Sequence, residues 1–208
     1  IVPRRDRPAR GGGRGGGGGL RGGLPPAISM LRAEKPFPLI AVDGRCASGK
    51  TTLAAQLAAT TGCSVLHMDH FFLRPEQRTQ ERLAQPGGNV DRERFLEEAL
   101  LPLRRGVPFS YRPYDCRRQA FGEPVRTGGG PFSIVEGSYS CHPALWDFYD
   151  LHVFLTVSPE EQLRRIRARN GEAGAAPFQE RWIPLEERYF EAFSVAERCE
   201  LCLNMERD

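Results

Sequence analysis

Residues 44–51 read GRCASGKT, which matches the phosphate-binding pattern G-x-x-x-x-G-K-[ST] in full. Gly44 and Gly49 allow the backbone to curl so that successive N–H groups point inward, and a helix after the loop adds the positive end of its dipole. Lys50 can reach the β- and γ-phosphates of a nucleoside triphosphate, and the Thr51 hydroxyl can bind Mg²⁺. The residues that we predict to bind ATP are Gly44, Arg45, Cys46, Ala47, Ser48, Gly49, Lys50, Thr51 and Thr52.

Two acidic residues and a run of arginines extend this chemistry. Asp69 follows the second apolar stretch and Glu136 ends the third, so both are expected at the carboxyl edge of a sheet, where ligands bind in open α/β folds. The stretch RRIRARNG carries arginines on a predicted helix that runs into a glycine-rich loop. Such arginines can close over a transferring phosphoryl group as a lid. They are Arg164, Arg165, Arg167 and Arg169.

Alternating strands and helices are expected to position these residues. The fold class predicted from this alternation is α/β, a parallel sheet flanked by helices. The predicted strands are residues 38–44, 64–69, 131–137, 151–157 and 199–204, and the predicted helices are 50–62, 91–106, 158–171 and 180–193. Residues 73–90 are expected to form a loop, residues 108–115 an edge strand or extended loop, and residues 171–178 a mobile segment.

The basic character of the chain belongs to its first 29 residues. The net charge is +3, but residues 1–29 hold six arginines and one acid and so carry +5, which leaves −2 for residues 30–208. A glycine- and arginine-rich segment cannot bury a core, and we expect it to be disordered. It could be an RNA-binding arm or the product of a mis-assigned start upstream of Met30. We favour the second interpretation, do not expect nucleic acid as a partner, and predict one P-loop domain over residues 30–208.

Composition narrows the class of protein further. No run of eighteen apolar residues or signal peptide is present, so we expect a cytoplasmic protein without a membrane partner. The six cysteines are irregularly spaced and are expected to be reduced thiols. Cys199 and Cys202 form a single CxxC, which is half a zinc site, and we interpret the pair as structural.

Several short motifs outside the loop carry a family resemblance. The chain resembles the uridine kinase family of P-loop nucleoside kinases over residues 37–204, nearly all of the foldable part. The stretches that carry the resemblance are DHFF at 69–72, NVD at 89–91, RPYD at 112–115, EG at 136–137 and RRIRARN at 164–170. The resemblance implies a P-loop NTPase fold with a mobile lid.

The resemblance also implies a role for individual residues. Asp69 would be the general base that takes the proton of a nucleoside 5′-hydroxyl, and Glu136 would help hold Mg²⁺. Asp91 would bind the ribose hydroxyls with Arg165 as its partner, and Tyr114 would line the nucleobase pocket. Either Arg167 or Arg169 would face the phosphates. The predicted catalytic residues are therefore Lys50, Asp69, Arg165 and Arg169.

Departures from the family pattern leave the acceptor open. Cys116 and Gln119 stand where family members carry the Phe and His of the base pocket, and His70 and Phe72 replace Ser and Tyr of the first motif. We expect an ATP-dependent kinase of a small-molecule hydroxyl, with the nucleoside 5′-hydroxyl preferred. Two alternatives stay open: a kinase of another alcohol, such as nicotinamide riboside or a pantothenate-like compound, or a nucleotide-binding regulator with little turnover.

Each role also has a purely structural alternative. Asp91 is equally suited to cap the helix that follows it, and Asp69 and Glu136 could cap turns at strand ends. His67 and His70 flank Asp69 and are interpreted as ordinary histidines beside the site rather than a metal pair. Trp182, Tyr189 and Phe190 are predicted to belong to the core.

Overall fold

The computed structural model describes residues 23–206. Within that part of the chain, a five-stranded parallel sheet has the strand order β2-β7-β1-β8-β9. Its strands are β1 (Leu39–Gly44), β2 (Ser64–His67), β7 (Ser133–Glu136), β8 (Leu151–Thr156) and β9 (Leu201–Asn204). Two small antiparallel pairs lie outside it: β3 (Phe109–Tyr111) with β6 (Val125–Thr127), and β4 (Tyr114–Asp115) with β5 (Ala120–Phe121).

Helices pack around this sheet. The α-helices are α1 (Leu24–Glu34), α2 (Lys50–Thr61), α3 (Gln80–Ala84), α4 (Arg92–Phe95), α5 (Leu101–Arg104), α6 (Pro143–Trp146), α7 (Pro159–Pro177), α8 (Ile183–Phe193) and α9 (Val195–Arg198). Two π-helical turns, Leu96–Leu100 and Phe178–Trp182, join α4 to α5 and α7 to α8, and two 3₁₀ turns, Met68–Phe71 and Pro75–Gln77, follow β2.

The sheet is covered on both faces, as the unbroken apolar run of β1 predicts. All six residues of β1 are buried. Because side chains alternate along a strand, Leu39 and Ala41 join one core cluster, while Ile40 and Val42 join the other. The central position of β1 therefore fixes the loop that follows it between two packed layers.

The helix boundaries were predicted where capping residues are present. Ser158 accepts a hydrogen bond from the Glu161 N–H at 3.3 Å and starts α7, and Asp91 accepts one from the Arg94 N–H at 3.1 Å and starts α4. Gly62 ends α2 with a φ of 70°, the left-handed conformation that glycine favours. All three boundaries are confirmed.

Three boundaries differ from the sequence-based predictions. Residues 24–29 were assigned to the disordered tail but form the first half of α1, where Leu24 and Ile28 are buried in the core. The rest of that tail, residues 1–22, lies outside the described part. Residues 171–178 are mostly helical rather than a loop, with one break at Gly171 (φ 72°, ψ 172°), and residues 73–90 contain α3 and a 3₁₀ turn.

None of the helices within residues 23–206 has the length and apolar character needed to cross a membrane. The six cysteines, all in this range, are free thiols.

Candidate functional site

A cavity of about 720 Å³ lies at the carboxyl edge of the parallel sheet. It brings together the loop after β1, the turn after β2, the loop after β7 and the segment from α7 to α8. Its charged lining residues are Lys50, Asp69, Arg78, Glu136, Arg165, Arg169, Arg181 and Glu186. This volume is in the range of small-molecule sites.

The loop after β1 has the geometry of a phosphate cradle. Gly44 and Gly49 have φ values of 133° and 100°, and Ala47 has a φ of 59°, so the backbone reverses within a few residues. The Lys50 ammonium donates to the carbonyl oxygens of Gly44 at 2.7 Å and Arg45 at 2.8 Å. The loop thus curls around its own lysine at the N-terminus of α2, where backbone N–H groups favour an anion.

Six of the nine predicted ATP-binding residues line the cavity: Cys46, Ala47, Gly49, Lys50, Thr51 and Thr52. The other three, Gly44, Arg45 and Ser48, belong to the loop but do not line the cavity. The backbone of the loop requires glycine at position 44, because a Cβ there would lie 2.0 Å from the Leu155 carbonyl oxygen on β8.

Arg165 contacts the outer side of the loop. Its Nη1 donates to the carbonyls of Ala47 at 3.3 Å and Ser48 at 3.4 Å, and its Nε donates to Glu161 at 2.6 Å. Arg165 also lines the cavity. It therefore ties α7 to the loop at the edge of the cavity.

Thr51 and Glu136, the two residues predicted to hold Mg²⁺, are in contact. The Thr51 Oγ1 lies 3.1 and 3.2 Å from the two carboxylate oxygens of Glu136, which is buried. One hydroxyl and one carboxylate suit Mg²⁺, which is usually held by one or two carboxylates together with substrate phosphates. Within residues 23–206 no group of three or more His, Cys, Asp or Glu side chains forms an all-protein metal site.

His67 shares the Glu136 carboxylate. Its Nδ1 lies 2.5 Å from Oε1 of Glu136, and this hydrogen bond raises the pKa of His67 above its ordinary value. The nearby His70 has a lowered pKa because of burial, and its Nδ1 pairs with the Tyr111 hydroxyl at 2.8 Å. Both histidines have protein partners, in agreement with their interpretation as residues beside the site.

Asp69 lies on the 3₁₀ turn after β2, exposed to the cavity. Among the residues that the structure describes, none forms a hydrogen bond with its carboxylate. Its negative charge acts on the nearby Tyr111. The pKa of Tyr111 is raised to about 12, mainly by burial and next by the charge of Asp69. A carboxylate with free lone pairs facing a phosphate loop is suited to accept the proton of a substrate hydroxyl.

Of the two candidate lid arginines, Arg169 lies at the cavity. It lines the cavity, with its Nε on Asn170 at 2.8 Å and its guanidinium 5.6 Å from the Phe178 ring centroid. Arg167 does not line the cavity and pairs instead with Glu172 at 3.1 Å.

Of the three residues predicted to bind the acceptor, Arg165 lines this cavity, but Asp91 and Tyr114 do not. Asp91 is buried and uses one oxygen to cap α4, while the other accepts from the Gln77 side chain at 2.8 Å. Tyr114 is buried against Phe121, with ring centroids 5.7 Å apart. The NVD motif reaches the cavity through Asn89 instead.

Residues of α8 and the π turn before it were not predicted to belong to the site. Trp182, Leu185 and Glu186 line the cavity, whereas Trp182 was predicted to be core. Glu186 is buried, and its two oxygens accept from the Cys46 N–H at 2.9 Å and the Ser138 hydroxyl at 2.5 Å. Tyr189 and Phe190 belong to the core as predicted.

Asp43 supports the cradle from inside the fold. It is fully buried and accepts hydrogen bonds from the N–H groups of Gly44 and Cys141 and from the Tyr189 hydroxyl, at 2.7 to 2.9 Å. Burial raises its pKa to about 6 in spite of these donors. It joins the end of β1, the loop after β7 and α8.

Comparison with solved structures places the fold among the P-loop kinases. A possible uridine kinase from Bacillus stearothermophilus matches with a TM-score of 0.60 and 20% identity, over 86% of this chain and 98% of its own. A proposed fructose transport system kinase from Silicibacter sp. TM1040 matches with a TM-score of 0.66 and 21% identity, over 90% and 100%. YFH7 from Saccharomyces cerevisiae, a proposed P-loop kinase with a circular permutation, matches with 0.62 and 10% identity, over 88% and 98%.

The expected α/β P-loop NTPase fold is therefore confirmed, and so is the resemblance to uridine kinase-like proteins at the level of the fold. No protein-family model matches the chain.

Proposed function

We propose that this protein is an ATP-dependent phosphotransferase that phosphorylates a hydroxyl group of a small molecule. The observation that carries the proposal is the meeting of a phosphate cradle, a Thr51–Glu136 pair and the unpaired Asp69 carboxylate in one cavity. Phosphoryl transfer needs mainly positioning, neutralisation of charge and one group that orients the nucleophile. Each requirement has a candidate residue here.

The chain's own groups divide the work. Backbone N–H groups of the loop and the Lys50 ammonium bind the β- and γ-phosphates, and Arg169 adds positive charge from the lid side. Thr51 and Glu136 would hold Mg²⁺, which neutralises phosphate charge when bound. Asp69 accepts the proton of the acceptor hydroxyl as its oxygen attacks the γ-phosphorus, and ADP leaves.

A nucleoside 5′-hydroxyl is the acceptor that we propose first, on the basis of the motifs shared with uridine kinases. The cavity has half-buried Trp182 and Phe72 as candidate surfaces for a ring. Because Asp91 and Tyr114 lie elsewhere, the acceptor would be bound by residues other than these two. A kinase of another alcohol, or a nucleotide-binding regulator, is the alternative.

The test is ADP release by the full chain with ATP and Mg²⁺ over a panel of nucleosides and other alcohols, with Asp69→Asn as the control. We expect acceptor-dependent ADP release that falls by roughly 10²–10⁴-fold in Asp69→Asn, while ATP binding, measured by calorimetry, is retained. ATP binding without turnover on any acceptor would favour the regulator, and failure to bind ATP would refute the proposal.

A further inference from the structure

Among the described residues, three carboxylates line the cavity, and one of them has no role in the proposed reaction. Asp69 is assigned to the acceptor hydroxyl, and Glu136 to Thr51 and the metal. The third is Glu186 on α8. It is 5% exposed, so it is held inside the site rather than in solvent. A buried carboxylate facing a ligand cavity needs hydrogen-bond donors to offset its loss of hydration.

The protein supplies only part of those donors. The Cys46 N–H donates to Oε2 of Glu186 at 2.9 Å, and the Ser138 hydroxyl donates to Oε1 at 2.5 Å. An ionised carboxylate can accept about four hydrogen bonds and can donate none. The Cys46 thiol also forms a hydrogen bond with this carboxylate and takes a third position. About one acceptor position of Glu186, which lines the cavity, is left, and a ligand group that uses it must be a donor.

The position of Glu186 limits where that donor lies. Cys46 belongs to the same loop that cradles the phosphates, so Glu186 lies within hydrogen-bond distance of the cradle. The reacting hydroxyl must also lie next to the γ-phosphate held by this loop. A second hydroxyl that reaches Glu186 would therefore be on a carbon close to the reacting one.

The carboxylate that the sequence motifs assign to this role is engaged elsewhere. Both oxygens of Asp91 are used, one to cap α4 and the other to accept from Gln77. Asp91 also lines a separate shallow cleft with Arg74 and Arg94 instead of the main cavity.

We propose that Glu186 binds a second hydroxyl group of the acceptor, so that the acceptor is a polyol, such as a sugar or the ribose of a nucleoside. This inference rests on the proposed kinase function and names the substrate class of the same site. Glu186 is then a specificity-determining residue: it selects compounds that carry a neighbouring hydroxyl over analogues that lack it.

The experiment measures discrimination between acceptors that differ by one hydroxyl. Binding to the full chain saturated with Mg²⁺ and a non-hydrolysable ATP analogue is measured by calorimetry for the four ribonucleosides and D-ribose, each with its 2- and 3-deoxy counterparts. For the wild type we expect that removal of one of the two hydroxyls weakens binding by about 10- to 100-fold, the usual range for a hydrogen bond to a charged group.

Matched variants test whether Glu186 carries that discrimination. Glu186→Gln should reduce the ratio of the two affinities to near unity, mainly by weakening the binding of the compound that carries the hydroxyl. Asp91→Asn, which keeps a good helix cap, should leave it unchanged. Circular dichroism confirms that each variant is folded.

The outcomes separate the two proposals. Discrimination that persists in Glu186→Gln, discrimination that is lost in Asp91→Asn instead, or no binding of any compound in the panel overturns the role of Glu186. If ADP release then occurs with an acceptor that has a single hydroxyl, the kinase proposal stands without it. If the ATP analogue itself does not bind, the proposed function fails.

Discussion

The main-chain N–H of Cys46 donates a hydrogen bond to Oε2 of Glu186, 2.9 Å away, so a carboxylate of α8 is held against the phosphate loop. Burial is the main cause that raises the pKa of the Cys46 thiol to about 12, and the negative charge of Glu186 is the next. The thiol is therefore a sensitive local probe of the contact between α8 and the loop.

Replacing Glu186 by Gln is expected to lower the pKa of Cys46 and speed its alkylation. The thiolate is the reactive form, and each unit by which the pKa falls raises its fraction about tenfold at pH 8–9. Iodoacetamide labelling of the Cys46 peptide, followed by mass spectrometry, measures the rate. Glu187→Gln is the matched control, because Glu187 pairs with Arg45 and should leave the rate at Cys46 unchanged. Equal rates in both variants would contradict the prediction.

Lys50→Ala is expected to reduce turnover by at least about 10²–10³-fold, because the charge on the β- and γ-phosphates is left uncompensated. The lysine also holds the loop by its bonds to the Gly44 and Arg45 carbonyls, so ATP affinity should fall as well. Steady-state kinetics and calorimetry with ATP check both effects. A variant with wild-type turnover would remove the loop from the mechanism.

Arg169 and Arg167 lie on the same helix but differ in what they face, which makes them a matched pair. Arg169→Ala should lower kcat by about 10²-fold, because Arg169 lines the cavity and can stabilise the charge of the transferring phosphoryl group. Arg167→Ala should leave kcat unchanged, since Arg167 pairs with Glu172 outside the cavity. The reverse order in the two variants would refute the assignment of the lid register.

Asp43 is expected to make stability depend on pH. The pKa of Asp43 is about 6 in the folded protein, whereas an exposed aspartate has a pKa of 3.8. Between these two pH values the folded state therefore holds a proton that the unfolded state has lost. Its contribution to the unfolding free energy therefore falls by about 3 kcal/mol as pH rises from about 4 to 6. The charged or titratable groups facing Asp43 are Lys50, Tyr139, Cys141, Tyr149 and Tyr189.

Asp43→Asn removes this titration. The unfolding free energy of the wild type minus that of the variant, measured by urea denaturation at several pH values, should fall by about 3 kcal/mol as pH rises from 4 to 6 and level off above it. A difference that stays constant over this range would show that Asp43 does not titrate there.

Gly44→Ala and Gly62→Ala separate steric clash from backbone preference. Both glycines have positive φ, but a Cβ on Gly44 meets the Leu155 carbonyl at 2.0 Å, whereas one on Gly62 has no atom within 4 Å. Gly62→Ala should cost about 1–2 kcal/mol of stability, and Gly44→Ala about 3–5 kcal/mol, in the range of severe core defects. Urea denaturation of both variants measures the costs, and equal costs would contradict the argument.

The parts of the fold that depend on local pattern were predictable. The apolar runs of β1 and β8, the capping Ser158 and the glycine stop at Gly62 each carry their own signal, and all were found at the predicted places. Residues 171–178 show the limit of such patterns, because their alanines continue the helix in spite of two glycines, with a break only at Gly171.

The site could be predicted only as far as the loop and the strand ends. A motif identified Asp91, but the motif does not show what its side chain binds. The second carboxylate oxygen of Asp91 accepts a hydrogen bond from Gln77, fourteen positions earlier. Glu186 has no motif, and it reaches Cys46 across 140 positions of sequence through the packing of α8. Which side chains of a helix enter a cavity is decided by such long-range packing, which short patterns do not contain.

The pairing of β1 has a consequence for the order in which the protein is made. Its neighbours in the sheet are β7 and β8, and Gly44 at the start of the cradle lies in register with Leu155. About half of the polypeptide must therefore leave the ribosome after β1 before its strand partners exist, and such distant contacts slow folding because a long loop must close first. During that interval β1 is an apolar segment with both edges unpaired, so it is exposed to aggregation until β7 and β8 have been made.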